Sequence, residues 1–185
     1  MLQKEVKYIP EKDQIAAQLP QFRMKNMKFQ SELAAESHVC EKTIRSLEKA
    51  NANPRLKTLK RIVSNFGMSV SAFLRLDPSP SLVVELSPNY EEDDFANITD
   101  ELFTLSCWLK VFLSFSGETQ QDFSHYSGVC LDTVNRLIRH LPSCNPRLST
   151  LQNFAAYMSI TVSELLDTTL SEYDMKKLLE ERICL

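Results

Sequence analysis

Apolar positions recur at helical spacing along most of the chain, separated by short polar turns. Between residues 13 and 28, Ile15, Leu19, Phe22 and Met27 mark one face, and Pro20 interrupts it. Proline lacks the amide that an interior helical turn requires, so one helix is expected to end near Gln18 and another to begin near Pro20. Gln30 to Ser37 reads as a short helix with Leu33 and Ala34 turned inward. A tight turn at His38-Val39 separates it from a helix expected over about residues 41–50, with Ile44 and Leu47 buried. Asn53-Pro54 then stops the chain. Leu56, Leu59, Ile62, Val63 and Phe66 form the next stripe, closed by Gly67 as a C-terminal cap, and a last short helix runs through Ser71, Ala72, Phe73 and Leu74.

The same order of elements then returns. QSELAAESHVCEKTIRSLE (Gln30–Glu48) followed by NPRLKTL (Asn53–Leu59) matches QQDFSHYSGVCLDTVNRLI (Gln120–Ile138) followed by NPRLSTL (Asn145–Leu151). The offset is 90 residues at the start and 92 at NPRL, so two residues are inserted in the loop between. A period this long marks two copies of a small domain, not a solenoid. The domain plan is therefore 1–76, a linker over 77–96, a second copy over 97–170 and a tail over 171–185. The linker combines Asp77-Pro-Ser-Pro-Ser81, a β-branched stretch at Ser81–Leu86 that suits a short extended segment, and the acidic run Glu91–Asp94. In the second copy an apolar helix passes through Leu102, Leu105, Trp108, Leu109 and Phe112. Trp108, Phe112, Phe115 and Tyr157 fall on helical spacing and read as core. The tail reads as an amphipathic helix with Met175, Leu178, Leu179 and Ile183 on one side and Ser171 as its N-cap.

Charge is unevenly spread along the chain. The net charge is −3, which alone argues against a polyanionic partner. Yet residues 1–76 hold nine Lys, five Arg and seven acidic residues, a balance of +7, while residues 77–185 hold seven basic and 17 acidic residues, a balance of −10. A basic half joined to an acidic half suggests that only one end faces a polyanion; two solvated surfaces of unlike composition are the plainer alternative. No apolar run approaches the roughly 18 residues of a membrane span, and the N-terminal segment lacks the apolar stretch of a secretory signal. The five cysteines are odd in number and form no C-x-x-C pair, which suits reduced thiols in the cytoplasm better than a disulfide framework or zinc site. Three glycines (Gly67, Gly117, Gly128) cannot build a phosphate loop or nucleophile elbow, and His38, His125 and His140 have no metal spacing. The expectation is a protein that is not an enzyme and has no cofactor or metal.

The repeated segment resembles the lambda-repressor-like, or Xre, family of five-helix DNA-binding domains with a helix-turn-helix. Copy one carries the resemblance in Arg23, Gln30, Leu33, Ala34, Val39, Thr43, Ile44, Glu48, Pro54, Leu59 and Gly67, over about residues 14–75. The resemblance implies an all-α chain of two tandem domains, and an ion pair between Arg23 and Glu48. Copy two has Leu113 and Ile138 at those two positions, so both partners are apolar. That paired exchange follows burial physics, because losing one partner alone strands a buried charge. Copy two also has Gly128-Val129 where copy one has His38-Val39. Histidine reaches the left-handed turn less readily than glycine.

The resemblance also implies a division of labour on double-stranded DNA. The start of the third helix would enter the major groove, with Glu41, Lys42, Thr43 and Ser46 facing base edges. Gln30, Arg45, Lys49, Asn51, Asn53 and Arg55 would hold phosphates and fix orientation. Copy two presents Leu131 and Asp132 first, which suit a polyanion poorly; Gln120, Asn135, Arg136, Arg139 and Arg147 are its candidate contacts. It is read either as a weak second head or as a domain that dimerises or docks a partner. Cys40 and Cys130 hold equivalent positions, and small residues at a helix start explain them more simply than a redox switch. The leading expectation is a bacterial or phage transcription regulator acting as a homodimer or as tandem heads. The alternative is an antitoxin-type protein whose acidic half masks a toxin, and a third reading is an interaction protein that kept the fold without DNA binding.

Overall fold

The computed structural model describes residues 10–75 and 99–183, and every regular element among them is an α-helix. The expected linker, including the stretch Ser81–Leu86, lies outside the described residues. The described chain forms two compact units, residues 10–52 and residues 53–75 with 99–183. This grouping follows packing, whereas the domain plan above follows the sequence repeat.

The first unit contains α1 (Glu11–Lys25), α2 (Gln30–Glu36) and α3 (Glu41–Leu47). Ile15 and Leu19 of α1, Leu33 and Ala34 of α2, and Ile44 and Leu47 of α3 are all buried. Contrary to the expected break, α1 runs through Pro20 without interruption. Proline removes the bond to the carbonyl four residues earlier. Burial of Ile15 and Leu19 before it, and the ion pair of Arg23 after it, hold both halves in one helix. Met27 leaves the apolar face altogether: it follows the C-cap Asn26 at φ +53 and is 90% exposed. Helix α3 is three residues shorter than the expected 41–50. Ala50 takes φ +56, and the amides of Ala50 and Asn51 close back onto the carbonyls of Leu47 and Ser46 at 3.1 and 2.9 Å.

The second unit contains α4 (Leu56–Ser64), α5 (Val70–Arg75), α6 (Thr99–Ser116), α7 (Gln120–Ser127), α8 (Leu131–Ile138), α9 (Leu148–Tyr157), α10 (Val162–Leu165) and α11 (Glu172–Ile183). Gly67 follows α4 at φ +67 and turns the chain, as its position in the sequence suggests. Trp108 of α6 is fully buried and donates its indole N–H to the Glu164 carbonyl at 3.3 Å. Phe112, Phe123, Phe154 and Tyr157 form a cluster of ring contacts of 5.2–5.5 Å. Of the four aromatics assigned to the core, Trp108 and Phe112 are buried, whereas Phe115 and Tyr157 are only half-buried. The Tyr157 hydroxyl donates to Glu118 at 2.8 Å. Helix α11 packs on α6 through Met175 and Leu179, and Ser171 and Asp174 cap it reciprocally. Ile183, expected on the same face, is 41% exposed at the helix end.

Within this unit the two NPRL segments meet. The amide of Leu56 donates to the Pro146 carbonyl at 2.9 Å, and that of Leu148 donates to the Pro54 carbonyl at 2.8 Å. These bonds form an antiparallel bridge between Arg55 and Arg147. The Asn53 amide donates to Ser149 Oγ at 2.8 Å and its carbonyl oxygen accepts from the Ser149 N–H at 3.0 Å. Asn145 Oδ1 in turn accepts from the Lys57 N–H at 3.1 Å. Helix α5 packs on α10, with the buried Ser71 hydroxyl donating to the Ser163 carbonyl at 2.7 Å.

Candidate nucleic-acid interface

In the first unit, two short helices are joined by a sharp turn. Ser37 is buried at the end of α2, and His38 adopts φ +50, which reverses the chain; Cys40 then opens α3 in an extended conformation. His38 therefore does take the left-handed conformation that a non-glycine residue reaches only at a cost. The inward positions of α3 are Ile44 and Leu47, at 0% and 3% exposure, so the opposite side of the helix faces out by its 3.6-residue period. That outer side carries Lys42 and Arg45 exposed, Glu41, Thr43 and Ser46 half-exposed, with Lys49 and Asn51 exposed just beyond.

Three side chains fix the tilt of α3. Arg23 Nε and Nη2 donate to the two carboxylate oxygens of Glu48 at 2.7 and 3.3 Å, and Arg23 Nη1 donates to the Lys28 carbonyl at 3.0 Å. Gln30 Nε2 donates to the same carboxylate at 2.6 Å. Arg23 and Glu48 are 15% and 9% exposed, so this is a largely desolvated, two-point charge pair that ties α1, α2 and α3 together. The Gln30 amide group is thus engaged within the protein. Glu41 and Arg45, one assigned to bases and the other to phosphate, form an exposed i,i+4 ion pair at 2.7 Å. Such a pair contributes little stability and opens readily to another partner.

The other two assigned phosphate contacts lie in the second unit. Asn53 is committed to Ser149 as described. Arg55 Nη1 donates to the Asn145 carbonyl at 3.2 Å while the residue stays exposed. Arg147 does the reciprocal, donating to the Asn53 carbonyl at 3.4 Å, and is likewise exposed. The sequence carried a signal for this role: NPRL is identical in both copies although α3 and α8 have diverged, and a reciprocal contact needs the same residues on both sides.

Copy two repeats the local geometry with different chemistry. Thr119 and Asp122 cap α7 reciprocally, which holds the Asp122 carboxyl below its ordinary range through the Thr119 hydroxyl and amide. Gly128 takes φ +70 at the turn, Val129 is buried, and Cys130 opens α8. Val134 and Leu137 point inward, leaving Leu131 and Asp132 exposed at the helix start. Arg136 bends back to Ser143, donating to its carbonyl at 3.2 Å and its hydroxyl at 3.1 Å. Asn135 is half-buried, and Gln120 and Arg139 are exposed. The outer faces of α3 and α8 are therefore built alike, but the first opens on Glu-Lys and the second on Leu-Asp. Cys40 and Cys130 are both exposed free thiols. No helix among the described residues is long and apolar enough to cross a membrane.

Comparison of the chain with protein-family models, with curated proteins and with solved structures returned no match.

Proposed function

We propose that the chain is a sequence-specific, double-stranded DNA-binding transcription regulator whose α3 reads the major groove. The observation that carries this reading is the pairing of a short outward-facing helix with a rigid mount. Lys42, Arg45 and Lys49 sit outward on and just beyond α3, while the Arg23–Glu48–Gln30 network fixes the helix from behind. Base readout needs such a mount, because a bidentate donor must be held in register with the base edge. The local chain path, a helix of seven residues, a sharp turn at a left-handed residue and a second helix of seven, agrees with the resemblance to the lambda-repressor-like family.

Under this reading Lys42 donates to guanine, Glu41 accepts from cytosine and Thr43 meets a thymine methyl, with Ser46 beside them. Arg45, Lys49 and Asn51 hold phosphates. The exposed guanidinium groups of Arg55 and Arg147 add charge beside the paired turns. Copy two acts as an auxiliary head, with Gln120, Asn135 and Arg139 as its polar contacts. The test is equilibrium binding of the purified chain to duplexes selected from a genomic library, against scrambled competitors at physiological salt. A regulator binds its selected duplex about a thousandfold or more tighter than the competitors. Equal binding to all duplexes, or none, would overturn the reading and favour a protein partner for the acidic half.

A further inference from the structure

The contacts between the NPRL segments have the symmetry of a homodimer interface, yet they lie inside one chain. In a two-fold interface every contact occurs twice with the roles exchanged, and a residue on the axis meets its own counterpart. Three contacts of the second unit occur in this exchanged form, and three pairs of equivalent residues meet. Leu56 donates to Pro146 as Leu148 donates to Pro54; Arg55 donates to Asn145 as Arg147 donates to Asn53; Asn53 accepts from Ser149 as Asn145 accepts from Lys57. Arg55 bridges Arg147, Ser71 bonds Ser163 and Arg75 bonds Asp167, and the last two pairs are each separated by the repeat offset of 92.

The symmetry is broken where charge is concerned. Arg75 donates to Asp167 at 2.5 Å, an opposite-charge pair between equivalent positions of the two copies. Two identical copies meeting this way would place Arg against Arg or Asp against Asp. Lys60 also pairs with Glu101 at 2.8 Å, with side-chain exposures of 18% and 4%, but these positions are not equivalent, so the selection rests on Arg75–Asp167. Complementary charge favours the unlike pairing, and like charge at the same place penalises the like one.

We infer that the chain is its own dimer: the NPRL turn, α4 and α5 of copy one pair with the NPRL turn, α9 and α10 of copy two within a single monomer, and one chain, carrying the unlike α3 and α8, engages one non-palindromic duplex. The second half of this inference rests on the DNA-binding reading above; the first half does not. Of the homodimer and the tandem heads expected from the sequence, it takes the tandem arrangement, since the paired NPRL turns satisfy one another within one chain.

Sedimentation equilibrium of the full chain, alone and with its selected duplex, tests both halves. The expected results are a species of 21.2 kDa across the concentration range and one chain per duplex. A free species of twice that mass would overturn the internal pairing, whether or not DNA is bound. Two chains per duplex from a monomeric free protein would overturn the claim of one chain per site. A monomer that binds no duplex supports the internal pairing and overturns the DNA half. An Arg75→Asp chain provides a further readout. It should lower the urea midpoint, and the exchange Arg75→Asp with Asp167→Arg should restore it; no restoration counts against the charge selection.

Discussion

Glu48 accepts three hydrogen bonds, two from Arg23 and one from Gln30, with its side chain only 9% exposed. Removing its carboxylate leaves the Arg23 guanidinium largely desolvated and without its main partner. Glu48→Ala should therefore destabilise the chain by about 2–4 kcal/mol in urea unfolding. The double change Arg23→Leu with Glu48→Ile imports the residues of copy two, Leu113 and Ile138, and should recover most of that loss. A double variant as unstable as the single one would show that the pair does more than satisfy its own charges. Lys42 and Asn53 separate reading from architecture. Lys42→Ala should weaken binding to the selected duplex by about 1–3 kcal/mol and leave the unfolding midpoint unchanged. Asn53→Ala removes both bonds to Ser149 and should lower the unfolding stability by about 1–3 kcal/mol. The reverse pattern would contradict the roles assigned to both residues.

At the level of elements, the two turns differ by one residue that has to be left-handed. His38 sits at φ +50 and Gly128 at φ +70. An added Cβ on Gly128 would meet only Asn153 Nδ2 at an ordinary 3.7 Å, so its cost is conformational and not steric. Gly128→Ala should cost about 1–2 kcal/mol, and His38→Gly should gain up to about 1 kcal/mol, both measured by thermal unfolding. The all-helical class and the turn positions were legible in the sequence because each rests on local spacing, whereas the Arg23–Glu48 pair was expected only through the family resemblance. Pro20 was not, since its penalty is local while the burial of Ile15 and Leu19 that outweighs it is tertiary. The contacts that Asn53 and Arg55 make with the second NPRL turn were hidden for a different reason. An Asn and an Arg after an exposed helix have the same composition whether they meet a phosphate or a second copy of the same turn. Only the identity of NPRL in both copies separated the two, and that signal concerns symmetry, not residue type.

Across the molecule, ionisation ties the paired helices to pH. Burial alone would raise the Asp167 carboxyl, but hydrogen bonds from Thr169 and Arg75 outweigh it and hold the group below its ordinary value of 3.8. A carboxyl lowered in the folded state contributes stability in full above its unfolded value and loses it as pH falls toward the folded one. Stability should hold down to about pH 5 and decline below about pH 4, with a shallower decline in Asp167→Asn. Glu164 behaves in the same sense: burial opposes, while Thr161 and Arg182 favour, its charged form. At the other end, burial and the bond to Glu118 push Tyr157 up to about 12, so its contribution is present below pH 10 and fades above it. An acid limb unaffected by Asp167→Asn would detach that residue from the stability of the pair. The basic and acidic halves visible in the sequence fit one polyanion-facing end, and Arg75–Asp167 and Lys60–Glu101 add that some of the opposite charge serves contacts between the copies. Footprinting of the chain on a duplex selected from a genomic library, with Lys42→Ala in parallel, decides between one chain and two at the site. One protected site with two unlike halves is expected, of which only one loses protection in the variant. A palindromic site losing both halves together, or no discrete site at all, would contradict the one-chain arrangement.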